Sequence, residues 1–120
     1  MPKASAAASV CPRKYLINNE MRDQMLAGLF GLDGQIAIVT GALGRLGREY
    51  VRTLAQAGAA VGAIDVAGSP DTFAALARDG ARVRVAIADL SHKAEADRAI
   101  DEVAAAFGAP TVLVNNAGMG

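Results

Sequence analysis

The sequence predicts an α/β fold: a doubly wound parallel sheet with helices on both faces, of which this chain carries the first four strands in spatial order 3-2-1-4. Three observations predict it. Short β-branched apolar runs alternate with stretches of helical spacing. Glycine or proline falls at most of the joins between them. The composition, 52% hydrophobic and 20% charged over 120 residues, is that of one small globular domain.

The elements follow in order. From Asn18 to Phe30, the apolar residues Met21, Met25, Leu26, Leu29 and Phe30 sit near helical spacing and predict a short amphipathic helix, which Gly31 and Gly34 break. Gln35 to Thr40 is a β-branched run suited to a strand buried on both faces. Gly44 to Ala57 is predicted helical, with Leu46, Tyr50 and Leu54 as its apolar stripe and Gly58 as its end. Ala60 to Asp65 is the second strand. Ser69-Pro70-Asp71 predicts the next helix start: serine as N-cap, proline at the first position, an acid beside the dipole. Phe73, Leu76 and Ala77 give that helix an apolar face, and Gly80 ends it. Arg82 to Ala88 is the third strand. Ser91 is read as the cap of a helix burying Ala96, Ile100, Val103 and Phe107, stopped by Gly108 and Pro110. Thr111 to Asn115 is the fourth strand.

Composition excludes several functions. With 12 basic and 12 acidic residues, the chain has no net field to draw it to nucleic acid or an anionic membrane. No apolar run approaches the roughly 20 residues of a membrane helix. The single cysteine, Cys11, permits no internal disulfide, and with His92 alone it makes no common zinc site without carboxylate support; no metal is expected. The leader has no acid before Glu20 and faintly resembles an organellar transit peptide. The reading adopted is an untargeted, disordered extension over residues 1–17, a short helix and lead-in over 18–34, a domain of alternating strands and helices over 35–120, and a cytoplasmic protein.

The segment that carries chemistry is Thr40-Gly41-Ala42-Leu43-Gly44-Arg45-Leu46-Gly47, set between a predicted strand and a predicted helix. Gly41 permits the turn out of the strand, Gly44 lets a pyrophosphate approach the backbone, and Gly47 lets the helix pack on the sheet. The helix start offers free N–H groups and a positive dipole end to an anion. A Walker loop would need Lys and then Ser or Thr after the last glycine, and here Arg48 and Glu49 follow Gly47. Asp65 ends the second strand, where a carboxylate accepts both hydroxyls of an adenosine ribose and repels a 2′-phosphate.

Asp89-Leu90 follows the third strand and Asn115-Asn116-Ala117-Gly118 the fourth. With the glycine loop, and with Leu29-Phe30-Gly31-Leu32-Asp33-Gly34 ahead of the first strand, the chain resembles the short-chain dehydrogenase/reductase family over roughly residues 30–120. The resemblance implies a Rossmann-type domain that binds NAD(P) and serves hydride transfer with an alcohol or carbonyl substrate, and Asp65 points to NAD in preference to NADP. It implies that Asp89 bonds the adenine amino group and that Leu90 offers its N–H to the ring. Asn115 ties the fourth strand to its neighbours, and Ala117 and Gly118 pass close to the ribose. The implied cofactor site is Gly41, Gly44, Arg45, Leu46, Gly47, Asp65, Asp89, Leu90, Asn115, Ala117 and Gly118. Arg45 is placed to meet a phosphate or to pair with Glu49 one turn on. Asp89 as a residue preceding a helix cap, and both asparagines as turn formers, are the alternatives.

The commonest family spacing puts glycine at 45, where this chain has Arg45, and the glycine stands at 44 instead. That spacing resembles the sugar-nucleotide epimerases and dehydratases of the extended branch, whereas Asn-Asn-Ala-Gly resembles the main branch. The family's Tyr-x-x-x-Lys pair is not found: Asn19 lies four residues after Tyr15, and Leu54 four after Tyr50. No catalytic residue is therefore expected in this chain. The reading adopted is a fragment of a longer, homo-oligomeric dehydrogenase, with a non-catalytic dinucleotide-binding or redox-sensing module as the alternative.

Overall fold

In the computed structural model, residues 19–118 are described, and the expectations for the leader, Cys11 and Tyr15 lie outside them. The chain divides into two compact units, Met1–Gly31 and Leu32–Gly120. In the first, helix α1 (Asn19–Phe30) forms where predicted, but it buries none of its residues. The expected amphipathic face is thus absent. At about 100° per residue, Met21, Met25 and Leu29 fall on one side and Leu26 and Phe30 on the next, an arc of roughly half the circumference and too broad for a single stripe.

The second unit is built on a parallel sheet in order β3-β2-β1-β4. Its elements are β1 (Ile36–Thr40), α2 (Arg45–Gln56), β2 (Ala60–Asp65), α3 (Ala74–Arg78), β3 (Val83–Ile87), α4 (Lys93–Phe107) and β4 (Val112–Val114). The predicted topology is the one observed, with β1 and β2 at the centre and Val39 beside both Ala63 and Val114. Side chains alternate across a strand, so β1 feeds two cores. Ala37 and Val39 join Val51, Ala55, Val61 and Phe73 on one face. Ile38 joins Ile64, Ala86, Ala99 and Val103 on the other. Helices α2 and α3 therefore cover one side of the sheet and α4 the other.

Four expectations need correction. The buried stripe of α2 is Gly47, Val51 and Ala55; of the expected residues, Leu54 packs half-buried against the core, while Tyr50 and Leu46 are turned out, Leu46 57% exposed. The helix lies so close to the loop below it that a Cβ at Gly47 would fall 2.0 Å from the Gly41 oxygen. Small residues must face the sheet there, and the large ones are turned one position round.

The helix expected from Ser69 begins only at Ala74. Ser69 Oγ does accept the Asp71 N–H at 3.1 Å. The backbone then closes bonds of i→i+3 type, Thr72 N–H to Ser69 O and Ala74 N–H to Asp71 O, so Pro70 lies in a turn.

Ser91 is not the cap of α4, whose N-cap position is His92. The Ser91 hydroxyl instead donates to Asp89 Oδ1 at 2.6 Å, in the turn ahead of the helix. Finally, α4 buries Ala99 and Val103 and leaves Ile100 43% exposed. Val103 is pressed onto β2, where a Cβ at Gly62 would lie 2.5 Å from its Cγ2. That contact fixes the helix rotation and turns Ile100 outward.

Candidate functional site

The glycine loop leaves β1 at the centre of the sheet. Gly41 has φ +64°, and a Cβ there would come within 3.0 Å of Ala117 Cα. A left-handed, crowded position of this kind accepts glycine alone. Gly47 is held to glycine by the same loop's backbone, as described above. Gly44 is different. It is exposed, its φ of −76° suits any residue, and a Cβ would meet only the Gly41 oxygen at an ordinary 3.4 Å. Nothing in the protein's own packing requires glycine at 44. What a side chain there would fill is the open space in front of the loop, so the residues present fit a ligand that comes flush against the backbone.

That space faces the start of α2. Gly44 is the N-cap and makes no side-chain cap bond. The first bond of the helix is Arg48 N–H to Gly44 O at 3.0 Å. The N–H groups of Arg45, Leu46 and Gly47 thus have no partner among the described residues, as the first turn of a helix dictates. Three free donors and a helix dipole's positive end converge on one point. The Arg45 side chain is exposed and also has no partner among the described residues; the pair expected with Glu49 is not made, because Glu49 binds Arg52 at 2.7 Å.

Asp65 ends β2 beside this loop. Its Oδ2 accepts the Leu43 N–H at 2.9 Å and its Oδ1 accepts the Val66 N–H at 2.7 Å. One lone pair on each oxygen stays available for further donors.

Three residues outside the predicted site hold the loop in place. Thr40 Oγ1, on a buried residue, accepts the N–H groups of Asn116 and Ala117, each at 3.0 Å. Asn116 Nδ2 donates to the Gly41 oxygen at 3.2 Å. Arg48 Nε donates to the Leu43 oxygen at 2.9 Å. The tie expected of Asn115 is therefore made by Asn116, while Asn115 is exposed and has no side-chain hydrogen bond among the described residues. In a run of two asparagines at a strand end, strand alternation puts one on each face, and the sequence does not say which faces back. A hydroxyl at the end of a buried strand was the one legible signal for Thr40. Arg48, on a helix surface, had none. Gly118 has open space around it, and Ala117 packs its backbone on Gly41.

Asp89 and Leu90 lie at the start of α4. Asp89 Oδ1 accepts the Ser91 N–H at 3.0 Å as well as its hydroxyl. Those two bonds, with the His92 charge, hold the Asp89 carboxyl below its ordinary value. The alternative reading of Asp89 as a turn residue ahead of a helix thus has a geometry. Leu90 packs against the second core, and its N–H has no partner among the described residues. The potential metal ligands that converge among the described residues are Asp89, His92 and Glu95, with ligand atoms within 4.8 Å of one another. His92 does therefore have the carboxylate neighbours that zinc would need. One oxygen of each acid is already taken: Glu95 Oε1 by the Asp89 N–H, and Asp89 Oδ1 by Ser91. The arrangement is that of a hydrogen-bonded turn leading into α4, whose N-cap His92 makes no side-chain cap bond. No helix among the described residues is long and apolar enough to cross a membrane.

Comparison with known proteins gives this geometry a family. The family model described as short chain dehydrogenase matches residues 35–120. D-threitol dehydrogenase of Mycolicibacterium smegmatis is 37% identical over 92 residues, covering 75% of this chain and 35% of that protein. A subunit of (2S)-[(R)-hydroxy(phenyl)methyl]succinyl-CoA dehydrogenase of Thauera aromatica is 36% identical over 94 residues, covering 74% and 37%. Among solved structures, a short-chain dehydrogenase/reductase from Serratia marcescens superposes with a TM-score of 0.68 at 32% identity, over 73% of this chain and 37% of that one. A hydroxysteroid dehydrogenase from Escherichia coli does so with a TM-score of 0.66 at 31% identity, over 78% and 40%. The chain spans little more than a third of the length of the curated relatives it matches. With the family model over residues 35–120, relatives above 30% identity and the matching sheet order, the chain belongs to the short-chain dehydrogenase family, which implies an NAD(P) cofactor.

Proposed function

We propose that residues 35–120 form the cofactor-binding portion of a dehydrogenase that passes hydride between NAD and an alcohol or carbonyl. The observation that carries this reading is Gly44, a glycine that the protein's packing does not require, in front of three unpartnered N–H groups. A pyrophosphate would lie against Gly44 and accept from Arg45, Leu46 and Gly47, with the Arg45 guanidinium as countercharge. Gly41 shapes the loop, and Asp65 would accept the hydroxyls of the adenosine ribose on its remaining lone pairs. Asp89 and the Leu90 N–H would meet the adenine; Asn115, Ala117 and Gly118 would border the ribose nearer the nicotinamide. The bound dinucleotide supplies hydride chemistry, and the residues of this chain bind and orient it.

The preference for NAD rests on Asp65. A 2′-phosphate would stand beside a carboxylate, and like charges in contact repel. Arg45 argues the other way only if it turns toward that phosphate. Tyr50 is followed four residues on by Leu54, so α2 carries no Tyr-x-x-x-Lys pair. We place the acid/base group in the part of the relatives' length that this chain does not span. Cytoplasmic location and homo-oligomeric assembly of the longer protein belong to the same reading.

Calorimetric titration with NADH and NADPH tests the proposal. NADH binds, ADP competes with it, and Gly44→Val abolishes binding. Tighter binding of NADPH would overturn the cofactor preference, and no binding of either dinucleotide would overturn the function.

A further inference from the structure

The Arg48 side chain makes one polar contact among the described residues: its Nε donates to the Leu43 oxygen at 2.9 Å. It has no ion-pair partner among them, although Glu49 and Arg52 pair beside it on the same helix. The oxygen it binds belongs to the peptide joining Leu43 to Gly44, and that peptide's N–H points at the Gly41 oxygen at 3.3 Å. One residue earlier, Asp65 Oδ2 holds the Leu43 N–H at 2.9 Å. The two peptide planes flanking Leu43 are thus each fixed by a side chain from outside the loop. Gly44 has no Cβ to restrict its backbone. Without the bond to Leu43 O, the plane ahead of it is held only by the 3.3 Å contact within the turn.

We infer that Arg48 is a positioning residue for the phosphate-binding turn: its Nε–H, not its charge, locks the Leu43–Gly44 peptide in the orientation that a dinucleotide meets. Resting on the proposed function, this assigns part of the binding strength to a side chain that need not touch the ligand. A turn already fixed before binding loses less conformational freedom when the ligand arrives. The side chain is on an exposed helix position, so its replacement leaves both cores intact.

Three substitutions separate hydrogen bond from charge. Arg48→Gln removes the charge but keeps an N–H donor the same number of bonds from the backbone as Nε. Arg48→Met keeps the length and loses both. Arg48→Lys keeps the charge and loses the planar donor. Two measurements are made on each: the Kd for NADH, and NMR hydrogen exchange of the Leu43 and Gly44 amides without ligand. Arg48→Met weakens NADH binding and speeds exchange, each by roughly threefold to tenfold, the worth of one ordinary hydrogen bond. Arg48→Gln stays within about twofold of the parent in both, and the melting temperatures of the two variants agree. Lysine retaining full NADH affinity while glutamine falls as far as methionine would show that charge acts, and overturn the inference. So would a methionine variant equal to the parent in both measurements. If the parent chain binds no dinucleotide, the functional reading fails, and the exchange measurement still decides whether Arg48 locks the turn.

Discussion

Gly47 and Gly44 stand three residues apart in one loop and answer to different constraints. A Cβ at 47 meets backbone on two sides, at 2.0 Å from Gly41 O and 2.8 Å from Ala42 Cα, and backbone cannot swing away as a side chain can. Gly47→Ala is therefore expected to destabilise the fold by roughly 1–3 kcal/mol through overpacking. Gly44→Ala meets only ordinary contact at 3.4 Å and is expected to change stability by less than about 1 kcal/mol, while weakening dinucleotide binding. Chemical denaturation and NADH titration of the two variants check this pair; equal loss of stability in both would refute it. Asp89 offers a second test. Its carboxyl is held low first by the Ser91 hydroxyl, then by the Ser91 N–H. The folded value lies below the unfolded one, so its contribution to stability is present above about pH 3.9 and fades as pH falls through the folded value. Ser91→Ala is expected to move the Asp89 pKa upward, read by carbon NMR of the carboxyl against pH, with no upward movement counting against the assignment.

At the scale of elements, Thr40 Oγ1 joins the end of β1 to the segment after β4. Thr40→Val keeps the shape and removes the oxygen. The Ala117 N–H then loses its partner, and the Asn116 N–H keeps only Val114 O at 3.1 Å. The expected cost is about 1–2 kcal/mol, with Thr40→Ser retaining most of the stability; urea melts of both variants would show the difference, and valine as stable as serine would contradict it. The strands and their order were legible because apolar β-branched runs and glycine punctuation are local signals. The helices were legible as helices, and Gly58 and Gly80 end α2 and α3 as predicted, by paired bonds such as Ala59 N–H to Leu54 O and Ala81 N–H to Leu76 O. Their rotations were not legible. On α2, Leu46, Tyr50 and Leu54 are the larger apolar residues, yet Gly47, Val51 and Ala55 face the sheet; which stripe is inward depends on how near the helix comes, and that is set by the loop beneath it. Likewise spacing singles out the glycines and Asp65 as candidates, whereas Thr40, Arg48 and Asn116 act through hydrogen bonds that exist only once the chain is folded.

Across the molecule, β1 and β2 are paired on both sides, while β4 pairs with β1 alone among the described residues. Leu113, at the middle of β4, is 63% exposed. An apolar strand with open backbone groups invites another chain. A polypeptide of these 120 residues made by itself is expected to associate at micromolar concentration, and Leu113→Lys to shift it toward monomer; sedimentation velocity distinguishes the two, and a monomeric parent would contradict the expectation.

The side chains that pin the glycine loop lie 5, 22 and 75 residues along the chain from the groups they hold: Arg48 on Leu43, Asp65 on Leu43, and Asn116 on Gly41. On a ribosome adding roughly 5–20 residues per second, those spans are separated by about 0.3–1 s, 1–4 s and 4–15 s. The unit β1–α2–β2 is complete by residue 65, so its sheet pairing and two of these three pins are in place before β3 and β4 are made. The loop then waits, with the Gly41 oxygen held only by the Gly44 N–H at 3.3 Å and the Thr40 hydroxyl lacking the two N–H groups it accepts, until Asn116 and Ala117 have been made. On the proposed function, a dinucleotide that met the nascent chain before that moment would find a turn fixed at Leu43 and loose at Gly41, so grip at the first would precede grip at the second.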